Sequence, residues 1–337
     1  MNDGRPLRAA IVGAGLMGKW HADAVKKIGG VVAIVADTDP SRAYNLAHEL
    51  GAASTGSLGG ALSADLVDVV HVCAPPSDHR AIVRSALVAG LHVLCEKPLA
   101  ETTAETAELY AMATERERLL CPVHQYLFQD GVIRVMRDMP SLGRLTSVSS
   151  VICSAGADAG DDAARDKLSI DTLAHPLSLA SRIVPDGLAG VEWSVTRASP
   201  GELQAIGAQA ALSLSIQVST RGRPTVSSLR VTGDRRTAEA DLFHGFVSFD
   251  EVELSRQGKI VHPFSSSART LAAAAVNLAR RAARRESAFP GLRELVRRFY
   301  SAVKLKQPAP IGSDESLDVA AARDAIVAAF RAEGAAV

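Results

Sequence analysis

Several things are scarce in this sequence, and each scarcity removes a class of function. Net charge is absent: 37 Lys and Arg balance 37 Asp and Glu over 337 residues, so no global field draws the chain to nucleic acid or a membrane surface. Long apolar runs are absent too, and nothing approaches the roughly 18 consecutive apolar residues that cross a bilayer. Residues 1–8 are polar and lead straight into an apolar segment, unlike a secretory leader; the expectation is a cytoplasmic protein. Cysteine is sparse: Cys73, Cys95, Cys121 and Cys153 share no metal-ligand spacing. Each lies in or beside a strand-like apolar run, so they read as reduced core thiols with no metal site. No internal repeat or long low-complexity tract is present. What remains is a partner that is a small molecule.

The length exceeds most single cores and implies two domains. Residues 7–12 read as a short apolar strand, followed by Gly13-Ala14-Gly15-Leu16-Met17-Gly18 and a helix toward Lys27. A second strand, 31–36, ends in Asp37, and Thr38-Asp39-Pro40 opens another helix. Strand 67–73 is broken by Ala74-Pro75-Pro76, with Ser77 or Asp78 capping the next helix. Strand 91–95 delivers Glu96-Lys97-Pro98. Repeated strand, turn and helix units predict a doubly wound parallel sheet with right-handed crossovers, which makes residues 1–122 an α/β dinucleotide-binding domain of the Rossmann type. Beyond Cys121-Pro122 the pattern changes. Segments 144–154, 191–198, 208–220, 226–231 and 237–243 predict an antiparallel sheet, interrupted by one helix over 171–183. Thr232-Gly233-Asp234 marks a tight turn. Residues 123–337 are therefore expected to form an α+β domain.

GxGxxG alone is a weak signal, but here it follows a strand, opens a helix and is answered by an acidic residue at the next strand's end. Gly13 permits the turn, Gly15 lets a pyrophosphate approach the backbone, and Gly18 lets the helix pack on the sheet. Asp37 suits the adenosine ribose hydroxyls and repels a 2′-phosphate, which favours NAD over NADP; nearby Arg42 leaves NADP use open. Lys97 stands where the carboxyl edge of such a sheet meets its ligand, and Pro98 keeps Lys97 out of the helical region. Farther on, Asp171 and His175 are spaced to share one helix face. A carboxylate beside an imidazole orients it and raises its affinity for a proton, as a base acting on an alcohol requires. Read alone, that pair is more often a helix cap or a surface ion pair.

Taken together, these motifs, with His21, Ala74-Pro75-Pro76-Ser77-Asp78-His79 and Leu94-Cys95-Glu96-Lys97-Pro98-Leu99, resemble those of the glucose-fructose oxidoreductase, inositol dehydrogenase and rhizopine catabolism family, Gfo/Idh/MocA. The resemblance covers nearly the whole chain. It implies hydride transfer between nicotinamide and a secondary alcohol or ketone of a sugar, cyclitol or nucleotide sugar. His175 would be the acid/base, Asp171 its support and a substrate ligand, and Lys97 the contact to both nicotinamide and hydroxyl, in a site drawn from both domains. Gly13, Gly15, Leu16, Met17, Gly18, Asp37, Ala74, Pro75, His79, Glu96, Lys97, Pro98 and Gln125 would contact the cofactor. The second domain would carry an open antiparallel sheet through which a homodimer or homotetramer forms.

Departures concern the substrate. Asp166 and Lys167 stand where the family often has two glycines, and Ser178 where a second aspartate often follows the histidine. His124 and Gln125 lie at the entry to the second domain and are candidates to touch cofactor or substrate. The stretch 268–306 is basic in a neutral protein and reads either as a solvated helix face or as a surface for an anionic ligand. A catalytically silent NAD-binding regulator and an NAD-dependent glycosidase are the alternatives; the presence of Lys97, Asp171 and His175 argues for the dehydrogenase.

Overall fold

The computed structural model describes residues 5–154, 160–251, 255–286 and 288–335. It divides into two units: Met1–His124 with Leu292–Ala320, and Gln125–Gly291 with Ala321–Val337.

In the first unit the chain runs β1 (Arg8–Val12), α1 (Leu16–Lys27), β2 (Val31–Ala36), α2 (Pro40–Leu50), β3 (Ala53–Thr55) and α3 (Leu58–Ala61). It continues through β4 (Val69–Val72), α4 (Pro76–Val88), β5 (His92–Cys95), α5 (Thr103–Glu115) and β6 (Leu120–Pro122). The sheet is parallel with order β3-β2-β1-β4-β5-β6. Its strands are short and apolar on both faces because helices cover both sides; Val69, Val70, Val72, Val93 and Leu94 are buried. The order reverses between β1 and β4, the switch point outside which ligands of such sheets bind.

The second unit begins with a 3₁₀ turn, Gln125–Phe128, and α6 (Asp130–Leu142). Then come β7 (Leu145–Cys153), α7 (Asp162–Thr172), α8 (Ala174–Ile183), β8 (Glu192–Ser199), β9 (Glu202–Gln209), β10 (Leu212–Ser219), β11 (Val226–Gly233), β12 (Arg236–Asp241), β13 (Phe246–Glu251) and α9 (Arg256–Ala283). The seven strands lie in the order β13-β12-β11-β7-β10-β9-β8. Alternate residues of β9 and β10 are buried and exposed, so one face is packed and the other open. The sheet is mixed rather than purely antiparallel, since β10 runs parallel to β7. β7 is laid down first at the centre, and the meanders β8-β9-β10 and β11-β12-β13 flank it on either side.

The division also departs from an uninterrupted second domain over 123–337, because helix α10 (Leu292–Leu305) and the start of α11 (Ser313–Ala335) return to the first unit. Apolar residues at helical spacing explain the return. Leu292, Leu295, Val296, Phe299 and Tyr300 are buried, α10 packs on α1, and Tyr110 Oη lies 2.6 Å from Ser316 Oγ. Net charge hid this period when 268–306 was read as one basic stretch.

Candidate active site

The cofactor turn is built by steric exclusion. Gly13 has φ 101°, and a Cβ there would press on the backbone of Cys73 and Ala74. A Cβ on Gly18 would strike the Gly13 carbonyl, so only glycine lets α1 lie this close to the turn. Gly15 is the opposite case: its missing Cβ would point into open space, and among the described residues no side chain caps the helix there. The first-turn N–H groups of α1 and the positive end of its dipole are thus offered to an anion, which fits a pyrophosphate. Leu16 is exposed beside them. Asp37 accepts the Ala14 N–H (2.7 Å) and the Asp39 N–H (2.8 Å), and Arg42 Nη2 lies 3.3 Å from its carboxylate. It therefore holds the glycine turn in place, while Oδ2, which takes the Ala14 N–H, keeps a second lone pair for a ribose hydroxyl.

At the carboxyl end of β5, Lys97 is half-buried between buried Glu96 and Pro98, with a cis Lys97–Pro98 bond. Glu96 is fixed by a buried hydrogen-bonded line. Its Oε1 lies 3.1 Å from His21 Nε2, His21 Nδ1 lies 2.8 Å from His71 Nδ1, and His71 Nε2 lies 2.9 Å from Tyr300 Oη. Burial by itself would raise the Glu96 carboxyl. The His21 hydrogen bond and charge, with the Lys97 charge, outweigh that and hold it below its ordinary value. His71 is driven well below the usual imidazole range by burial and then by His21, so it stays neutral in this line. From sequence His71 had no identifiable partner; it bonds residues 50 and 229 positions away, which no local pattern encodes. His79 places Nδ1 2.7 Å from the Pro98 carbonyl oxygen and Nε2 2.9 Å from that of Ala74. Both ring nitrogens face protein carbonyls, so the ring braces the loops carrying Ala74, Pro75 and Lys97.

In the second unit, Asp171 and His175 do not share one helix. Asp171 lies in the last turn of α7 and His175 in the first turn of α8, with Leu173 as the joint. Pro176 explains the break: it has no N–H for the Thr172 carbonyl, so the ladder restarts. Asp171 Oδ2 is 2.9 Å from Lys167 Nζ and its Oδ1 is 3.9 Å from Arg323 Nη2. His175 stacks on Tyr126, centroids 4.4 Å apart at 21°, and Ser178 Oγ donates to the His175 carbonyl at 2.8 Å. Of the two atypical loop residues, Asp166 is structural. It takes Arg197 at 2.9 Å and the Gly201 N–H at 2.8 Å, tying α7 to the β8–β9 turn. Lys167 is the exposed one. Gln125 is buried, and its Oε1 accepts from no described group, which leaves an acceptor for an incoming donor. Tyr126 and Arg323 escaped the sequence reading, since neither sits in a motif.

Comparison with known proteins gives the first unit relatives. A family model described as an oxidoreductase family with NAD-binding Rossmann fold, GFO_IDH_MocA, matches residues 7–124. Residues 7–124 thus match the dinucleotide-binding domain of the Gfo/Idh/MocA oxidoreductase family. Among curated Gfo/Idh/MocA-like relatives, the UDP-N-acetylglucosamine 3-dehydrogenase of Acidithiobacillus ferrooxidans is 34% identical over 37% of this chain and 42% of its own length. Inositol 2-dehydrogenase of Leifsonia xyli is 33% identical over 33% of this chain and 34% of its own. The chain thus spans less than half the length of these relatives. The WlbA dehydrogenase of Bordetella pertussis, solved with NADH and UDP-GlcNAcA, has a TM-score of 0.79 at 18% identity, covering 97% of this chain and 96% of that one. Levoglucosan dehydrogenase with NADH and levoglucosan has a TM-score of 0.78 at 16% identity, covering 98% of each. At such identities the likeness speaks for the fold.

Proposed function

We propose that the protein is an NAD-dependent dehydrogenase that interconverts a secondary alcohol and a ketone on a sugar, cyclitol or nucleotide-linked sugar. The observation that carries this reading is in the first unit: one sheet edge presents both an uncapped helix behind an open glycine turn and a lysine held by the buried Glu96 line. Relatives named for UDP-N-acetylglucosamine, inositol and D-xylose support it, since all three compounds carry oxidisable ring hydroxyls. NAD⁺, when bound, supplies the hydride acceptor at C4 of the nicotinamide.

Lys97 orients the hydroxyl and stabilises the negative charge that builds on its oxygen as the C–H bond gives up hydride. His175 takes the hydroxyl proton, and Asp171 supports the imidazolium that results. Stacking on Tyr126 fixes the plane of the ring. In reduction His175 returns the proton. Among the described residues the four cysteines form no disulfide, in agreement with a reducing, cytoplasmic setting.

A panel of polyols, free sugars, sugar acids and nucleotide sugars, screened for thermal stabilisation in the presence of NADH, identifies the substrate. His175→Ala should then lower kcat by about 10²–10⁴-fold with NADH affinity nearly unchanged. Lys97→Met should reduce kcat and weaken substrate binding together. Near-normal turnover in His175→Ala would overturn the mechanism.

A further inference from the structure

Helix α9 is amphipathic the wrong way round. Its polar side chains face the protein: Ser266 and Arg269 bond Asp250 at 3.1 and 2.8 Å, Thr270 reaches Ser248 at 3.3 Å, and Asn277 and Arg281 bond the His244 carbonyl at 3.0 and 2.9 Å. Its apolar side chains face away. Phe264, Leu271 and Leu278 are 78%, 72% and 69% exposed, and no residue of the helix is buried. An apolar stripe of this kind on an ordered helix marks an interaction surface.

The stripe has the spacing and shape of a self-complementary seam. Phe264, Leu271 and Leu278 recur every seventh residue, and Ala268, Ala275 and Ala282, all exposed, fall four residues after each. This is the a/d repeat of a coiled coil, with large residues at one position and alanine at the other. We propose that α9 pairs with α9 of a second copy of this chain, antiparallel about a two-fold axis passing near residue 273. In that register every layer sets a large residue against an alanine: Phe264 over Ala282 of the second copy, Ala268 under Leu278, Leu271 over Ala275. A parallel pair would instead stack Phe264 on Phe264 and Ala268 on Ala268, alternating overpacking with voids.

Charge selects the same orientation. Arg280, Arg281, Arg284 and Arg285 lie at one end of the helix. Antiparallel pairing separates the two clusters by about 28 Å at the 1.5 Å helical rise, well beyond the roughly 8 Å screening length, and brings Glu286 of one copy within a turn of Lys259 of the other. Parallel pairing would bring the basic ends of both helices to the same end of the seam. Helix dipoles oppose in the antiparallel pair and align in the parallel one.

The test uses the full chain. Leu271→Cys and Ala275→Cys are made as separate variants and oxidised alone and after mixing, with the unmodified chain as control for its own thiols. A disulfide that forms efficiently only in the mixture is the expected result, since the two positions oppose each other across an antiparallel seam and neither opposes itself. Self-linking of Ala275→Cys alone would mean a parallel pair and overturn the proposal. In parallel, Leu271→Glu/Leu278→Glu should lower the mass in solution by at least half at unchanged NADH affinity, the latter showing that it folds. Unchanged mass in that variant would overturn the proposal. So would a monomeric unmodified chain that binds anionic vesicles through these leucines, for α9 would then be a membrane-surface helix.

Discussion

Single side chains set two properties of the first unit that can be measured. His92 accepts the Leu119 N–H at 2.9 Å through Nδ1, and burial, helped by Arg118, pushes its pKa from 6.5 to about 4. The unfolded chain therefore takes up the proton first as pH falls, and stability present above pH 6.5 is lost progressively down to about pH 4. The effect is bounded at about 3 kcal/mol by the size of the shift. His92→Asn keeps an acceptor without the titration, so its melting temperature should fall less steeply between pH 6.5 and 4.5; an identical slope would assign the acid sensitivity elsewhere. Asp37 governs the second property. NADH should bind more tightly than NADPH, and Asp37→Ala should narrow the gap by releasing Arg42, now 3.3 Å from that carboxylate, toward a 2′-phosphate. Adding Arg42→Ala should remove the gain. Titration of both cofactors decides this, and equal affinities in the unmodified protein would sink it. Asp37 was legible from its place at a strand end, and Arg42 from its nearness in sequence. The Glu96–His21–His71–Tyr300 line was not, because its members meet only once β4, β5, α1 and α10 are packed.

Elements declare themselves in sequence when they carry punctuation and hide when they do not. Gly13, Pro75 and Pro98 bracketed the parallel strands, and the Thr232-Gly233-Asp234 turn stood out before β12. The stretch 208–220 read as a single strand, yet it contains the end of β9 and all of β10, joined at Ala210-Ala211 with Leu212 paired to Gln209. That hairpin lacks Asn or Gly. Ala210 takes φ 52°, a left-handed conformation costing an L-residue roughly 1–2 kcal/mol. Ala210→Gly should therefore stabilise the protein by up to about 1 kcal/mol, read as a higher midpoint in urea at constant m-value. A lower midpoint would show that the Ala210 methyl contributes more by packing than its backbone loses. The joint at Leu173 hid for a related reason: Pro176 lies inside an apolar helical period, so the period masked the place where α7 ends and α8 begins.

For the whole molecule, chain order and fold order diverge. A boundary near residue 122 was legible because alternating strand and helix signals stop there. The return of Leu292–Ala320 to the first unit was not, because an amphipathic helix declares that it has a partner without naming it. The return is a structural requirement of the dinucleotide unit. Phe299 is fully buried, Tyr300 ends the hydrogen-bonded line that fixes Glu96, and a Cβ on Gly30 would lie 3.1 Å from the Tyr300 ring, so the β1–β2 connection is shaped around that helix. Residues 5–124 alone would expose the apolar face of α1 and leave His71 Nε2 without its partner, a loss of about 1–3 kcal/mol for the hydrogen bond alone in a unit small enough to be marginal. Expressed as 5–124, the unit should fail to unfold cooperatively and should not bind NADH. Joined to 292–320 through a long Gly/Ser linker, whose closure costs little more with each added residue, it should do both. Calorimetry and NADH titration of the two forms separate the cases, and cooperative unfolding of 5–124 at the melting temperature of the linked form would show that the return segment is dispensable.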